Sequence, residues 1–195
     1  MVPWPRGGGD TVGDGRTAVS STAGAATSAR RDAEARGAAT KRGVLRASVE
    51  TRRQLLGRIA KLTAPERRRI YLGTWSAHEV VAHLIGWDYA NERAAASLLR
   101  SRLPEFYAHH DRGWQKFNRL LVKRFGGEPT GRLIKKAAAS HRRLMSVLDG
   151  VSERAFSLDR GIRFRGFKVT IRRLIEGETE DERRHLQQLF DEFGR

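Results

Sequence analysis

The chain has 195 residues, 31 arginines against 7 lysines, a formal charge of +16 and no cysteine. Without cysteine, disulfides, thiolate catalysis and cysteine-ligated zinc are excluded, and the composition fits a reducing, cytoplasmic setting. No stretch approaches the ~20 apolar residues of a membrane span, so a membrane partner is not expected. The charge alone suggests nucleic acid. Its arrangement argues against that partner: the arginines are spread along every segment, no aromatic stacking residues interleave with them, and the Arg, Ala and Gly bias fits a GC-rich bacterial genome.

Residues 1–43 contain eight glycines and almost no large apolar residue after Trp4, too little to offset the entropy of ordering. They read as a disordered tail, which leaves 44–195 as one domain. A first helix is predicted at about 45–62, with Leu45, Val49, Leu56, Ile59 and Leu62 on its apolar side and Arg52, Arg53 and Arg58 outside it. After a short arginine-rich link, Ser76 followed by Glu79 makes a capping box and starts a second helix, closed before Pro104. One face of it carries Val80, Leu84, Trp87 and Asn91, with His83 beside that row. A polar turn, 104–112, leads to a shorter helix carrying Trp114, Phe117, Leu121 and Phe125, stopped by Gly126 and Gly127. A fourth helix, capped by Thr130, runs through Leu133, Ala137, His141, Leu144 and Leu148 to Gly150. Between Ser157 and Val169 the period changes, which suggests an extended loop or a short hairpin. The last helix starts after Thr170 and carries Ile171, Leu174, Ile175, Glu178, Asp181, His185, Leu189 and Phe193 on one broad face. The expected class is all-α, an antiparallel four-helix bundle.

Asp181 and His185 stand four apart, so their side chains share a helix face with β-carbons about 5–6 Å apart. If the second and last helices are neighbours, His83 completes a three-ligand set with open positions for water or substrate. Nitrogen and oxygen donors in that mix suit zinc, nickel, iron or manganese better than calcium. His141 lies in an apolar stripe that puts it in the same interior, where it is the candidate catalytic proton shuttle or else a core histidine bonded to a neighbouring helix. His78, in the first helical turn, reads as capping or exposed, and His109 and His110 as solvated turn residues. Trp75 and Trp87 read as staple and core.

The segments TWSAHEVVAHLIGWD, LPEFY, WQKFN and GETEDERRHL together resemble the DinB/YfiT-like superfamily of four-helix bundles, particularly its ClbS/DfsB-like branch, over about residues 55–193. The resemblance implies a divalent metal held by one histidine of the second helix and two residues four apart on the last. By motif position these are His83, Asp181 and His185. Aspartate stands where the family has histidine or glutamate. The resemblance implies a small-molecule substrate and a metal-dependent hydrolase or thiol transferase, although no residue-level match for binding a thiol cofactor is present. It equally implies an alternative, a metal-free self-protection protein acting on a reactive natural product, in which Phe106, Tyr107, Trp114 and Asn118 line the pocket. An exposed helix face leaves room for a homodimer, with no particular interface residue to name.

Overall fold

The computed structural model describes residues 40–194 and is mostly helical, with two two-residue or three-residue hairpins between helices. The expected tail lies outside the described residues except for 40–43. There the chain is already ordered: α1 spans Lys41–Lys61, and the Thr40 hydroxyl accepts from the Gly43 amide, so the helix starts a turn earlier than its apolar period suggests. The arginine-rich link is itself structured. It holds a short helix α2 (Ala64–Arg68), capped by a Thr63–Glu66 box with proline in the first turn, and the strands β1 (Ile70–Leu72) and β2 (Trp75–Ser76).

Helix α3 (Ala77–Leu99) begins where the capping box places it. The Ser76 hydroxyl accepts from the first turn and Glu79 accepts from the Ser76 amide at 2.9 Å. The turn after Pro104 is a short 3-10 helix (Glu105–His109) that continues into α4 (His110–Phe125), which is kinked at Gly113, φ 114°. Helix α5 spans Thr130–Asp149. Pro129 rather than Thr130 occupies its N-cap position, which frees the Thr130 hydroxyl for another helix. A short α6 (Glu153–Ser157) and the hairpin β3 (Arg163–Phe164) and β4 (Phe167–Lys168) precede α7 (Ile171–Phe193), capped by Thr170.

Four long helices pack in a ring of neighbours, α1 on α7, α7 on α3, α3 on α5 and α5 on α1. Neighbour directions depart from the antiparallel expectation. Along α1, Arg52 meets Glu182 and Arg58 meets the carbonyl of Phe193, so α1 and α7 run parallel. Likewise His78 meets Thr130 and Asp88 meets Ser140, so α3 and α5 run parallel. The cause is the links: they carry the chain across the diagonals of the ring, and α4 returns it along the outside of α3. Gly86 permits that close return, since a β-carbon there would lie 2.7 Å from that of Leu121.

The apolar core falls into two clusters. One holds Val44, Leu45, Leu98, Leu144, Leu148, Phe156 and Ile171; the other holds Leu55, Ile59, Val80, Leu84, Leu133 and Leu189. Each fully buried leucine contributes roughly 1.5–3 kcal/mol. On every helix of the ring the residues between the two clusters are polar and buried: Ser48 and Arg52 on α1, Asp88 on α3, Ser140 and His141 on α5, Glu182 and His185 on α7. The core is thus divided by a polar layer. Among the described residues no helix is long and apolar enough to cross a membrane.

Candidate metal centre

Burying ionisable groups is costly unless they are paired, so the polar layer must satisfy itself. Most of it does so through Arg52. Its guanidinium bonds both oxygens of Glu182, at 2.9 and 2.8 Å, and both oxygens of Asp88, at 2.9 and 3.0 Å, with a further bond to the Ala137 carbonyl. The arginine therefore joins α1 to α7 and, across the diagonal, to α3. Burial works against the charge of Asp88, but Arg52 and then His141 outweigh it and hold the carboxyl below its ordinary range. Placing Arg52 outside the apolar side of the first helix is corrected here: it is 2% exposed.

His141, the candidate catalytic residue, belongs to this network. Its Nδ1 lies 3.3 Å from Asp88 Oδ1 and its Nε2 lies 3.5 Å from the Ser48 hydroxyl. Hydroxyl, imidazole and carboxylate are in line, yet Ser48 is 2% exposed, so the arrangement supports packing rather than attack on a substrate. Both ring nitrogens of His141 are engaged within the network.

At the α3–α7 edge of the layer the three residues expected to bind metal come together. His83 is 3% and His185 7% exposed, and the Asp181 side chain is 18% exposed. Their donor atoms all lie within 4.8 Å of one another. Asp181 Oδ2 is 3.5 Å from His185 Nε2 and 3.9 Å from His83 Nε2. The two imidazoles meet edge to face at 5.8 Å, and the Trp75 ring covers His83 at 4.9 Å. The shorter aspartate side chain reaches both histidines.

The donor chemistry fits a cation. Tetrahedral donors about 2.0–2.1 Å from an ion stand roughly 3.3 Å apart; the Asp181 contacts, at 3.5 and 3.9 Å, are close to that spacing, and the imidazole donors, within 4.8 Å of each other, draw together around an ion. His185 Nδ1 lies 3.1 Å from Gln188 Oε1, which places the ring proton on Nδ1 and the Nε2 lone pair toward Asp181. Such support from a second residue is what orients a ligating imidazole. The other oxygen of Asp181 accepts from Arg184 at 2.9 Å. His83 Nδ1 and His185 Nε2 are sealed from solvent with no hydrogen-bond partner.

The electrostatics favour the ligand forms. Burial opposes ionisation of Asp181, but the neighbouring imidazoles, His185 and then His83, outweigh it and hold the carboxyl below the usual range. Burial, joined by the charges of His185 and Arg52, lowers His83 from its ordinary value and favours the neutral imidazole. One turn away, Glu178 is driven well above the carboxylate range, first by burial and then by the charges of Asp181 and Glu182.

Two other histidine readings are corrected. His78 is buried, with Nδ1 2.9 Å from Thr130 Oγ1 and Nε2 2.9 Å from the Gly126 carbonyl, so it ties the start of α3 to the α4–α5 link. His109 is half-buried and stacks on Phe117 at 4.9 Å. Phe106 and Trp114 pack around Trp87 at 5.2 and 4.9 Å, and the Trp87 indole donates to Asn118. Trp87 is thus core, as expected, and Tyr107 is buried against Phe106.

Sequence reasoning missed Arg52, Asp88 and Glu182, and it gave no role to Asn91 and Glu178, which it placed on the apolar faces of their helices. A signal existed for the first: Leu45, Ser48, Arg52, Leu55 and Ile59 recur at three- and four-residue spacing, and a charge on such a stripe implies buried partners. Comparison with protein-family models, curated proteins and solved structures finds no significant match.

Proposed function

We propose that this chain is a DinB/YfiT-like four-helix bundle of the ClbS/DfsB-like kind, whose His83, Asp181 and His185 hold one divalent cation for hydrolysis of, or thiol transfer to, a small molecule. The observation that carries the reading is the convergence of two imidazoles and one carboxylate within 4.8 Å in a largely buried site, with the Nε2 of each ring toward Asp181. A cation in such a site supplies Lewis acidity, polarising a carbonyl or lowering the pKa of a water or thiol. The chain's own residues do the rest. Gln188 sets the tautomer of His185, Arg184 holds the second oxygen of Asp181, and Trp75 shields His83 from water.

Elemental analysis of the purified chain, loaded in turn with zinc, nickel, iron and manganese, tests this. One equivalent of metal, lost in His185→Ala, supports it. No metal in the loaded wild type removes it and leaves the self-protection reading, for which a reactive small molecule raises the melting temperature and chelators change nothing.

A further inference from the structure

Six side-chain polar atoms among the described residues are sealed from solvent without a hydrogen-bond partner, and four of them lie on the facing helices α3 and α7: His83 Nδ1, Asn91 Nδ2, Glu178 Oε1 and His185 Nε2. Native interiors rarely leave such atoms unpaired, because each costs about 1–3 kcal/mol. The histidines belong to the candidate metal centre. Asn91 and Glu178 do not.

Helix geometry sets both on the same side of that centre, along the α3–α7 seam. Helices α3 and α7 run antiparallel, because His83 faces Asp181 and His185 while Leu98 shares a cluster with Ile171. Asn91 lies two turns beyond His83, roughly 12 Å along α3. Glu178 lies one turn before Asp181, and Glu178, Asp181 and His185 at i, i+3 and i+7 form one stripe of α7. In an antiparallel pair both displacements point the same way. Asn91 is 2% exposed, so its N–H is not turned out to water.

The charges nearby define the guest. Glu178 feels the carboxylates of Asp181, Glu182 and Asp88, and the cation that reaches it, Arg52, already has its guanidinium bonded to Asp88 and Glu182. An anion entering here meets like charge with no cation left to receive it. An uncharged amide matches both atoms: its carbonyl accepts from Asn91 Nδ2 and its N–H donates to Glu178 Oε1.

We propose that Asn91 and Glu178 form a recognition subsite for an uncharged amide group of a small-molecule ligand, in the α3–α7 seam beside the candidate metal centre. The subsite rests on the small-molecule reading of that seam and not on metal occupancy. Its test uses the full chain, nitrogen-15 labelled, titrated by NMR with benzamide and with benzoate, once with EDTA and once with zinc.

Benzamide is expected to shift the Asn91 side-chain NH2 signals saturably, and benzoate to bind about tenfold or more weakly. Glu178→Gln, which keeps an acceptor oxygen and the side-chain shape, retains benzamide binding, whereas Glu178→Met loses about tenfold. An unmoved or unsaturated Asn91 signal, as an ordered water alone at the site produces, overturns the proposal. So does equal binding of benzoate, or unchanged affinity in Glu178→Met. Benzamide binding in a chain that takes up no zinc keeps the subsite and removes the metal reading. Zinc uptake with a silent Asn91 does the reverse.

Discussion

Replacing Arg52 with methionine isolates what the polar layer contributes. The substitution keeps an unbranched apolar stem but deletes four charge-assisted bonds, and it strands two buried carboxylates. The two are stranded unequally. Asp88 keeps the Ser140 hydroxyl and His141, whereas both of Glu182's bonds came from Arg52. Removing one partner of a buried ion pair costs about 3–5 kcal/mol, because the charge left behind has lost its water and gained nothing. In a domain of this size that is a fall of roughly 6–20 °C in melting temperature. Urea unfolding at pH 8 and at pH 5 measures it. A stranded buried carboxylate has its folded-state pKa raised, so the penalty is fully present above that value and shrinks as acid protonates it. Adding Glu182→Leu to Arg52→Met removes the stranded charge and recovers at least half of the loss. A loss under about 1 kcal/mol, or one equal at both pH values, refutes the view that Arg52 is held by charge rather than by packing.

Helix glycines give a matched pair. Gly57 has open space around it and Gly86 does not. Gly57→Ala therefore stabilises by up to about 1 kcal/mol through helix propensity, while Gly86→Ala gains nothing or loses, because the new methyl overlaps Leu121; chemical denaturation separates the two. Ser76→Ala removes the cap of α3 and costs about 0.5–2 kcal/mol in the same assay. In metal-free protein, stability from Asp181 is present above the ordinary aspartate value of 3.8 and is lost as pH falls through its depressed folded-state pKa. Asp181→Asn accordingly flattens the acid limb of a melting-temperature profile. Glu178 has the opposite sign: folded protein retains a proton that the unfolded chain releases, so stability declines as pH rises from the ordinary value of 4.5 toward the raised one. Glu178→Gln abolishes that decline and raises the melting temperature at pH 7; an unchanged profile contradicts the burial of this carboxyl.

Helix starts and apolar faces were legible because they are local. The Ser76–Glu79 box and the row Val80, Leu84, Trp87 need only neighbours in sequence, and the structure reproduces both. The Asp181 and His185 spacing was equally readable, since four residues on a helix set the face they share. What linked His83 to them was the assumption that two helices are adjacent, and periodicity does not supply adjacency. The parallel pairing of α1 with α7 was hidden for the same reason: nothing in either helix specifies its neighbour's direction, and the diagonal crossings are properties of the links. His78 shows the limit most clearly. Its surroundings are a carbonyl at Gly126 and a hydroxyl at Thr130, about 50 positions away, and neither leaves a mark on the residues next to it.

The bond between Arg52 and Glu182 closes a loop of 130 positions. During synthesis, the arginine and Asp88 are made long before the second carboxylate, and the histidine and aspartate of α7 arrive with the final stretch of chain. A nascent chain stalled before residue 171 holds a guanidinium paired with Asp88 alone and one of the three ligands, so assembly must await the last helix. Nonsense mutations in α7 before Asp181 are therefore expected to give an insoluble fragment rather than a weakened domain.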